Sequence, residues 1–316
     1  MAVRVLDILP SWGIHFWALG LEIDTLLRDN WHRRTRSFLG ILRSIGCAVG
    51  YTLLAVCALL AGWRFRTLFA AYAWFRRIDE VIDGESPPPH GMTNETYLKH
   101  KEALIAAVRN GNFTSQQLLL PEDILFLAAS RALTCHGIDA NYEITTIWRA
   151  ITFDYERRKR KTLICEWNLI DHATHQDAAI LSFVAKVLDA SLVRLQSSAS
   201  LFQGVFTRTD WLYDMLYDLK SGLVNISKEA AQHFKIDVDA FSRCSSWEDV
   251  FVTEGFKPWY SQEVERLSAR WGRVRYELAH DFGGVSESYL HRLIFKRGLA
   301  FFEGAFQKSV LRLQIY

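Results

Sequence analysis

Asp79 and Asp83 stand four residues apart in Tyr72-Ala-Trp-Phe-Arg-Arg-Ile-Asp-Glu-Val-Ile-Asp-Gly84, a run otherwise rich in apolar side chains. Helical periodicity stacks such positions on one face, so Tyr72, Arg76, Asp79 and Asp83 are expected to form a single stripe. A phenol, a guanidinium and two carboxylates are costly to bury unless something neutralises them. A second stripe, Asp210, Asp214 and Asp218, repeats every four residues in Asp210-Trp-Leu-Tyr-Asp-Met-Leu-Tyr-Asp-Leu-Lys-Ser-Gly222. Like charges at that step repel, so the arrangement calls for water or cations. Two carboxylate stripes facing each other across a helical bundle would suit Mg²⁺, with Mn²⁺ an alternative. Waters and a substrate's phosphate oxygens would complete the octahedra. Metal bridging to a diphosphate is the chemistry that follows. The competing reading is a solvated helix face with an Arg–Asp pair; the apolar flanks and the second stripe count against it.

The residues around these acids resemble a known family. Tyr72-Ala-Trp-Phe-Arg76 followed by Ile-Asp-Glu-Val-Ile-Asp83 is similar to the first aspartate-rich motif of the squalene/phytoene synthases. Asp214-Met-Leu-Tyr-Asp218-Leu-Lys-Ser-Gly222 through Lys228-Glu229 resembles the second, with the two aspartates, the glycine and the terminal acid kept. The resemblance runs from about Gly50 onward. It implies an all-α fold, a single-domain isoprenoid-synthase helical bundle around a central cavity. It also implies Mg²⁺ ligands at Asp79, Glu80, Asp83, Asp214 and Asp218, and catalytic roles for Tyr72, Arg76 and the four aspartates. Arg76, Lys161, Phe183, Tyr213, Tyr217 and Lys228 are then the expected substrate-binding residues. The implied reaction is ionisation of a prenyl diphosphate, farnesyl (C15) or geranylgeranyl (C20), and head-to-head coupling of two such chains.

Departures from the family pattern are equally specific. The arginine before the first aspartate of the second motif is Tyr213, its glutamate is Tyr217, the arginine after the glycine is Leu223, and Tyr-Leu-Pro is replaced by Asn225-Ile-Ser227. In the Ile180–Ala190 stretch, Lys186 and Asp189 occupy the places of two glycines, and Phe183 that of a tyrosine. Lys186 and Asp189 are expected either to pair with each other or to intrude on the pocket. Three functions stay open on these residues: coupling, class I cyclisation of one prenyl diphosphate, and a non-catalytic assembly or scaffold role.

The elements that must position these groups read as helices throughout. No β-hairpin signal and no long repeat occurs. Gly84-Glu-Ser-Pro-Pro-Pro-His-Gly91 must break the first acidic helix, because proline cannot continue it. Thr93–Gly137 is helical by its apolar pattern and carries no evident chemistry. Phe153-Asp-Tyr-Glu-Arg-Arg-Lys-Arg-Lys-Thr162 puts Asp154, Arg158 and Thr162 on one side, with Arg157 and Lys161 on its neighbour. Either side could present cations to a diphosphate, and a solvated basic face is the competing reading. A Trp-rich helix with Trp247, Trp259 and Trp271 is expected in the last third.

Residues 1–45 form an aromatic and cationic extension, expected to be either a membrane-surface helix or a packing helix; residues 46–316 make up the family-like domain. No charge occurs between Arg43 and Arg64, a span long enough for a bilayer. Its interrupting glycines and its likeness to the family's opening helices favour two buried core helices. A net charge of +2 over 316 residues argues against nucleic-acid binding. The five cysteines show neither a disulfide framework nor zinc spacing, which fits a reducing compartment. The expected location is cytoplasmic, with peripheral membrane contact left open. No dinucleotide-binding glycine pattern occurs, and the family's reducing members lack one too, so NADPH use stays open. The resemblance implies one more short segment after the last helix, so the chain is expected to be either naturally short or truncated there; no apolar anchor of the kind in eukaryotic squalene synthases occurs in the given residues.

Overall fold

The computed structural model describes residues 62–84, 86–111, 120–188, 204–281 and 289–316, without the side chains of 90, 277–281, 289–299 and 301. Among the described residues all regular structure is helical. The N-terminal extension, most of the uncharged run after Arg43, and Asp189 lie outside them. No helix among the described residues is long and apolar enough to cross a membrane. Chain contacts separate two compact units, Met1–Asp139 and Ala140–Tyr316.

In the first unit, α1 (Trp63–Ile82) is followed by a 3-10 turn (Pro89–Gly91), α2 (Asn94–Arg109) and α3 (Asp123–Cys135). Trp74, Ile78, Val81 and Ile82 recur every three or four residues on α1 and are buried, the spacing that drives a helix onto its neighbour. The neighbour is α3, where Trp74 stacks on Phe126 with ring centroids 4.3 Å apart. Thr93 and Thr96 close a reciprocal cap on α2, satisfying two amides that the first turn would otherwise leave open.

The α2–α3 region holds polar chemistry that its sequence pattern did not announce. Lys101 is fully buried. Its ammonium meets Glu122 at 2.9 Å and Asp123 more closely still, and lies 4.7 Å from the Tyr97 ring centroid. Asp123 also takes His100 at 2.6 Å, the Trp74 indole at 3.3 Å and the Leu120 amide at 2.9 Å. Burial alone would raise the Asp123 carboxyl. His100, Lys101 and the Leu120 amide outweigh it and hold the group below its usual range.

The second unit comprises α4 (Asn141–Arg160), α5 (Glu166–Leu188), α6 (Val205–Ser221), α7 (Lys228–Phe234), α8 (Val238–Phe241), α9 (Trp247–Val252), α10 (Phe256–Asp281) and α11 (Tyr289–Ile315). The helix carrying the second acidic stripe, α6, packs on α5, α10 and α11. Its Leu212, Met215 and Leu219 enter a core with Leu267, Trp271 and Val274 of α10 and Phe306 of α11. Gly204, at φ 73°, starts α6 against α5, where a Cβ would lie 2.7 Å from that of Ala173. Asp177 of α5 caps α6, accepting from the amides of Phe206 (2.9 Å) and Thr207 (3.0 Å) and the Thr207 hydroxyl (2.6 Å). Burial nevertheless pushes its carboxyl up to about 7 against those donors.

One expectation is corrected here: the three tryptophans do not share a helix. Trp247 opens α9, whereas Trp259 and Trp271 belong to α10. Thr253 is extended and Gly255 takes φ 74°, with the position of a Cβ only 1.7 Å from the Phe234 carbonyl. Only glycine fits that approach.

Candidate functional site

The first acidic motif occupies the last turns of α1. Tyr72 is 56% exposed, and the outward stripe continues through Arg76 to Asp79, whose carboxylate lies 3.3 Å from the guanidinium. Glu80 turns inward, 4% exposed, held by Arg76 at 3.4 Å and Arg77 at 3.6 Å. Asp83 caps the helix with its amide on the Asp79 carbonyl at 2.8 Å. Tyr72, Arg76, Asp79 and Asp83 thus follow the predicted stripe. Glu80, the other expected metal ligand, is engaged by two arginines from the same helix.

The second motif is graded in depth along α6: Asp210 is exposed, Asp214 half-buried and Asp218 buried. Asp218 accepts from the Asn225 amide at 2.7 Å. Asn225 in turn accepts from Arg157 Nη2 at 3.0 Å, which also donates to the Val224 carbonyl at 2.7 Å. Arg157 Nη1 reaches Asp154 at 2.9 Å, and Asp154 lies 3.5 Å from His172 Nε2. A polar chain therefore runs from α5 through α4 to the motif's inner carboxylate. Burial would raise Asp154, but His172, Arg157 and Arg158 together hold it below the ordinary carboxylate range. The turn that returns Asn225 to Asp218 depends on Gly222, left-handed at φ 85°.

This chain divides the basic stretch of α4. Arg157 is buried and serves the second motif, whereas Arg160 and Lys161 are solvated. Lys161 ends the helix at φ 49°, and Thr162 lies beyond it. From sequence, Asn225 counted only as a lost family position; the structure makes it the link between Arg157 and Asp218. His172 went unnoticed, since only its distance from Asp154 in the fold brings it in.

Tyr213, where the family has an arginine, receives cations from α11. Lys308 donates to its hydroxyl at 3.2 Å and sits 5.0 Å from its ring centroid, with Arg312 at 5.2 Å. Arg312 also donates to the Tyr213 carbonyl at 2.7 Å. Neither basic residue belongs to an aspartate motif, and only the packing of α11 on α6 brings them to Tyr213. Tyr217 is half-buried and Phe183 is buried on α5. Lys228 is exposed at the start of α7, its amide on the Ile164 carbonyl at 2.9 Å. The adjacent Glu229 accepts the Glu166 amide at the start of α5 at 2.7 Å. Lys186 pairs with Glu143 of α4 at 2.8 Å, and Ser182 donates to the same carboxylate at 2.7 Å.

No group of three His, Cys, Asp or Glu side chains that could hold a metal occurs among the described residues. Each motif instead offers two aspartates one helical turn apart. That donor set fits Mg²⁺, which keeps several waters and binds through one or two carboxylates together with substrate phosphates.

No protein-family model and no curated protein matches the chain. Among solved structures it is similar to the crystal structure of squalene synthase HpnC from Alicyclobacillus acidocaldarius, with a TM-score of 0.55 at 15% identity, covering 94% of this chain and 96% of that one. At this identity the likeness establishes the fold: the chain has the all-α architecture of that squalene synthase.

Proposed function

We propose that the protein is a Mg²⁺-dependent transferase of prenyl diphosphates that ionises a C15 or C20 substrate and couples two chains head to head. The observation that carries this is the pair of Asp-x-x-x-Asp helices, 79/83 and 214/218, in a chain with the fold of a squalene synthase. Bound Mg²⁺ would supply Lewis-acid stabilisation of the diphosphate leaving group. Asp79 with Asp83, and Asp214 with Asp218, would each supply carboxylates to such an ion, and the Asn225–Arg157 chain fixes the rotamer of Asp218. Arg76 and Lys308 offer cationic donors to diphosphate oxygens, charge-assisted contacts of the stronger kind. Tyr213 and Tyr217 present π faces suited to an allylic cation.

Lys308 and Arg312 at Tyr213 favour coupling over cyclisation, since they restore positive charge where the motif had lost an arginine. Incubation with farnesyl and geranylgeranyl diphosphate plus Mg²⁺, followed by product identification, tests the reading. A hydrocarbon with twice the substrate's carbon count is expected. Diphosphate release with a product of unchanged length would select the cyclase, and absence of turnover with every chain length would select the scaffold. Asp79→Ala and Asp214→Ala should each abolish turnover; near-normal rates in either would overturn the proposal.

A further inference from the structure

The polar chain behind the second motif ends at His172 of α5, and aromatic rings wall that residue in. The Phe153 ring of α4 lies 4.4 Å from the imidazole centroid. Trp211 of α6 lies 6.2 Å away, its plane 7° from parallel. The His172 side chain is 9% exposed. Its Nε2 is closed off from solvent and makes no hydrogen bond among the described residues; Asp154 Oδ2, 3.5 Å away, is the carboxylate beside it. A buried imidazole in that position is either neutral with an unsatisfied nitrogen or charged against the carboxylate, and each state carries a desolvation cost. Which state prevails depends on how much of the Asp154 charge is already spent.

Arg157 is the counter-charge common to two acids. Its side chain is 4% exposed and its guanidinium carbon lies 5.7 Å from the Phe153 ring centroid, so the same ring packs against both His172 and Arg157. Nη1 donates to Asp154 at 2.9 Å. Nη2 donates to Asn225, which donates in turn to Asp218. With His172 neutral, the Asp154 charge is met by Arg157 and Arg158. With His172 protonated, Asp154 gains a further counter-charge, and the surplus positive charge of Arg157 falls to the Asn225–Asp218 side. The sign follows from electrostatics: a proton on His172 opposes a cation at Asp218, and by linkage a cation at Asp218 opposes the proton by the same factor.

The other titratable groups around His172 have identifiable places. On α5, Asp171 and His175 pair with each other at 3.3 Å on the exposed side, and Asp177 caps α6 through the Phe206 and Thr207 amides. From α6 comes the uncharged Trp211, with Asp214 three residues further along the helix. From α7, His233 reaches the cavity that Trp211 and Asn225 also line. We infer that His172 is a positioning residue for Asp218, and that its proton competes with a divalent cation on the second motif through the Asp154–Arg157–Asn225 chain. This inference rests on the metal role proposed for Asp214 and Asp218. Its consequence is regulatory: the second motif holds its metal less tightly as pH falls.

The test is titration of the full chain with Mn²⁺ in place of Mg²⁺, the free ion being read by its paramagnetic resonance, in an Asp79→Ala background that breaks the first motif's pair. Affinity is expected to rise about fivefold between about pH 6 and about pH 8. Ordinary carboxylates, with pKa values of about 4, contribute little to a slope in that range. His172→Gln keeps a polar side chain that takes no proton, so it should retain the urea midpoint and bind Mn²⁺ equally at both pH values. Asp154→Asn, which breaks the link to Arg157, should lose the slope as well. Asp177→Asn and His233→Gln should keep it. A flat profile in the parent, a slope that survives His172→Gln, or a slope lost in Asp177→Asn or His233→Gln would each overturn the inference. Absence of Mn²⁺ binding at both pH values would overturn the metal role of Asp214 and Asp218 and this inference with it, whereas binding with a flat profile overturns the inference alone.

Discussion

Asn225 is the point at which the second motif can be cut without touching any of its aspartates. It is 7% exposed and joins two charged partners, Asp218 at 2.7 Å and Arg157 at 3.0 Å. Hydrogen bonds to charged groups contribute about 1.5–3 kcal/mol each. In Asn225→Ala, Arg157 keeps the Val224 carbonyl and Asp154, so the loss falls mainly on Asp218, and a destabilisation of about 3 kcal/mol is expected. Asn225→Asp separates packing from charge, because it retains the acceptor for Arg157 while placing a second carboxylate against Asp218. At 2.7 Å two such charges would repel by about 6 kcal/mol at an effective dielectric of roughly 20, unless a proton or a cation intervenes. Urea unfolding of both variants, with and without Mg²⁺, is the assay. Mg²⁺ should stabilise Asn225→Asp more than wild type, since a divalent ion relieves the added repulsion. If Asn225→Ala lies within about 0.5 kcal/mol of wild type, the Arg157–Asn225–Asp218 chain does not hold the motif, and the positioning role assigned to it is wrong.

Three further outcomes follow from single groups. Asp177 has a folded-state pKa of about 7 against an ordinary 3.8, so its stabilising contribution is complete below about pH 4 and is lost as pH rises through about 7. Asp177→Asn should flatten that slope, read from urea midpoints at about pH 5 and about pH 8. Lys101→Met leaves Glu122 and Asp123 without their buried cation and should cost about 3–5 kcal/mol. Adding Glu122→Gln and Asp123→Asn to it should recover part of the loss in the same unfolding assay. Lys308→Ala, at an exposed position, should leave the melting temperature close to wild type yet raise KM for a prenyl diphosphate about tenfold, about 1.4 kcal/mol; an unchanged KM would remove Lys308 from the proposed binding residues.

The sequence alone determined what depends on local periodicity. Four-residue spacing is enough to put Tyr72, Arg76, Asp79 and Asp83 on one stripe of α1, and Asp210, Asp214 and Asp218 on one side of α6, because side-chain direction in a helix follows from residue number. The all-α class was legible for the same reason, as was the helix stop in the Gly84–Gly91 stretch. Tertiary structure decided which of those groups are spent and on what. Glu80 is turned into the interior, 4% exposed, while Asn225, a mismatch to the family pattern, becomes the donor to Asp218. The Lys101 cluster and the Lys308–Tyr213 contact escaped detection because their partners are 21 to 95 residues apart. No helical period encodes such separations. The buried Arg208–Glu263 pair was equally silent: an arginine's burial is fixed by which helices close around it, not by its neighbours in the chain.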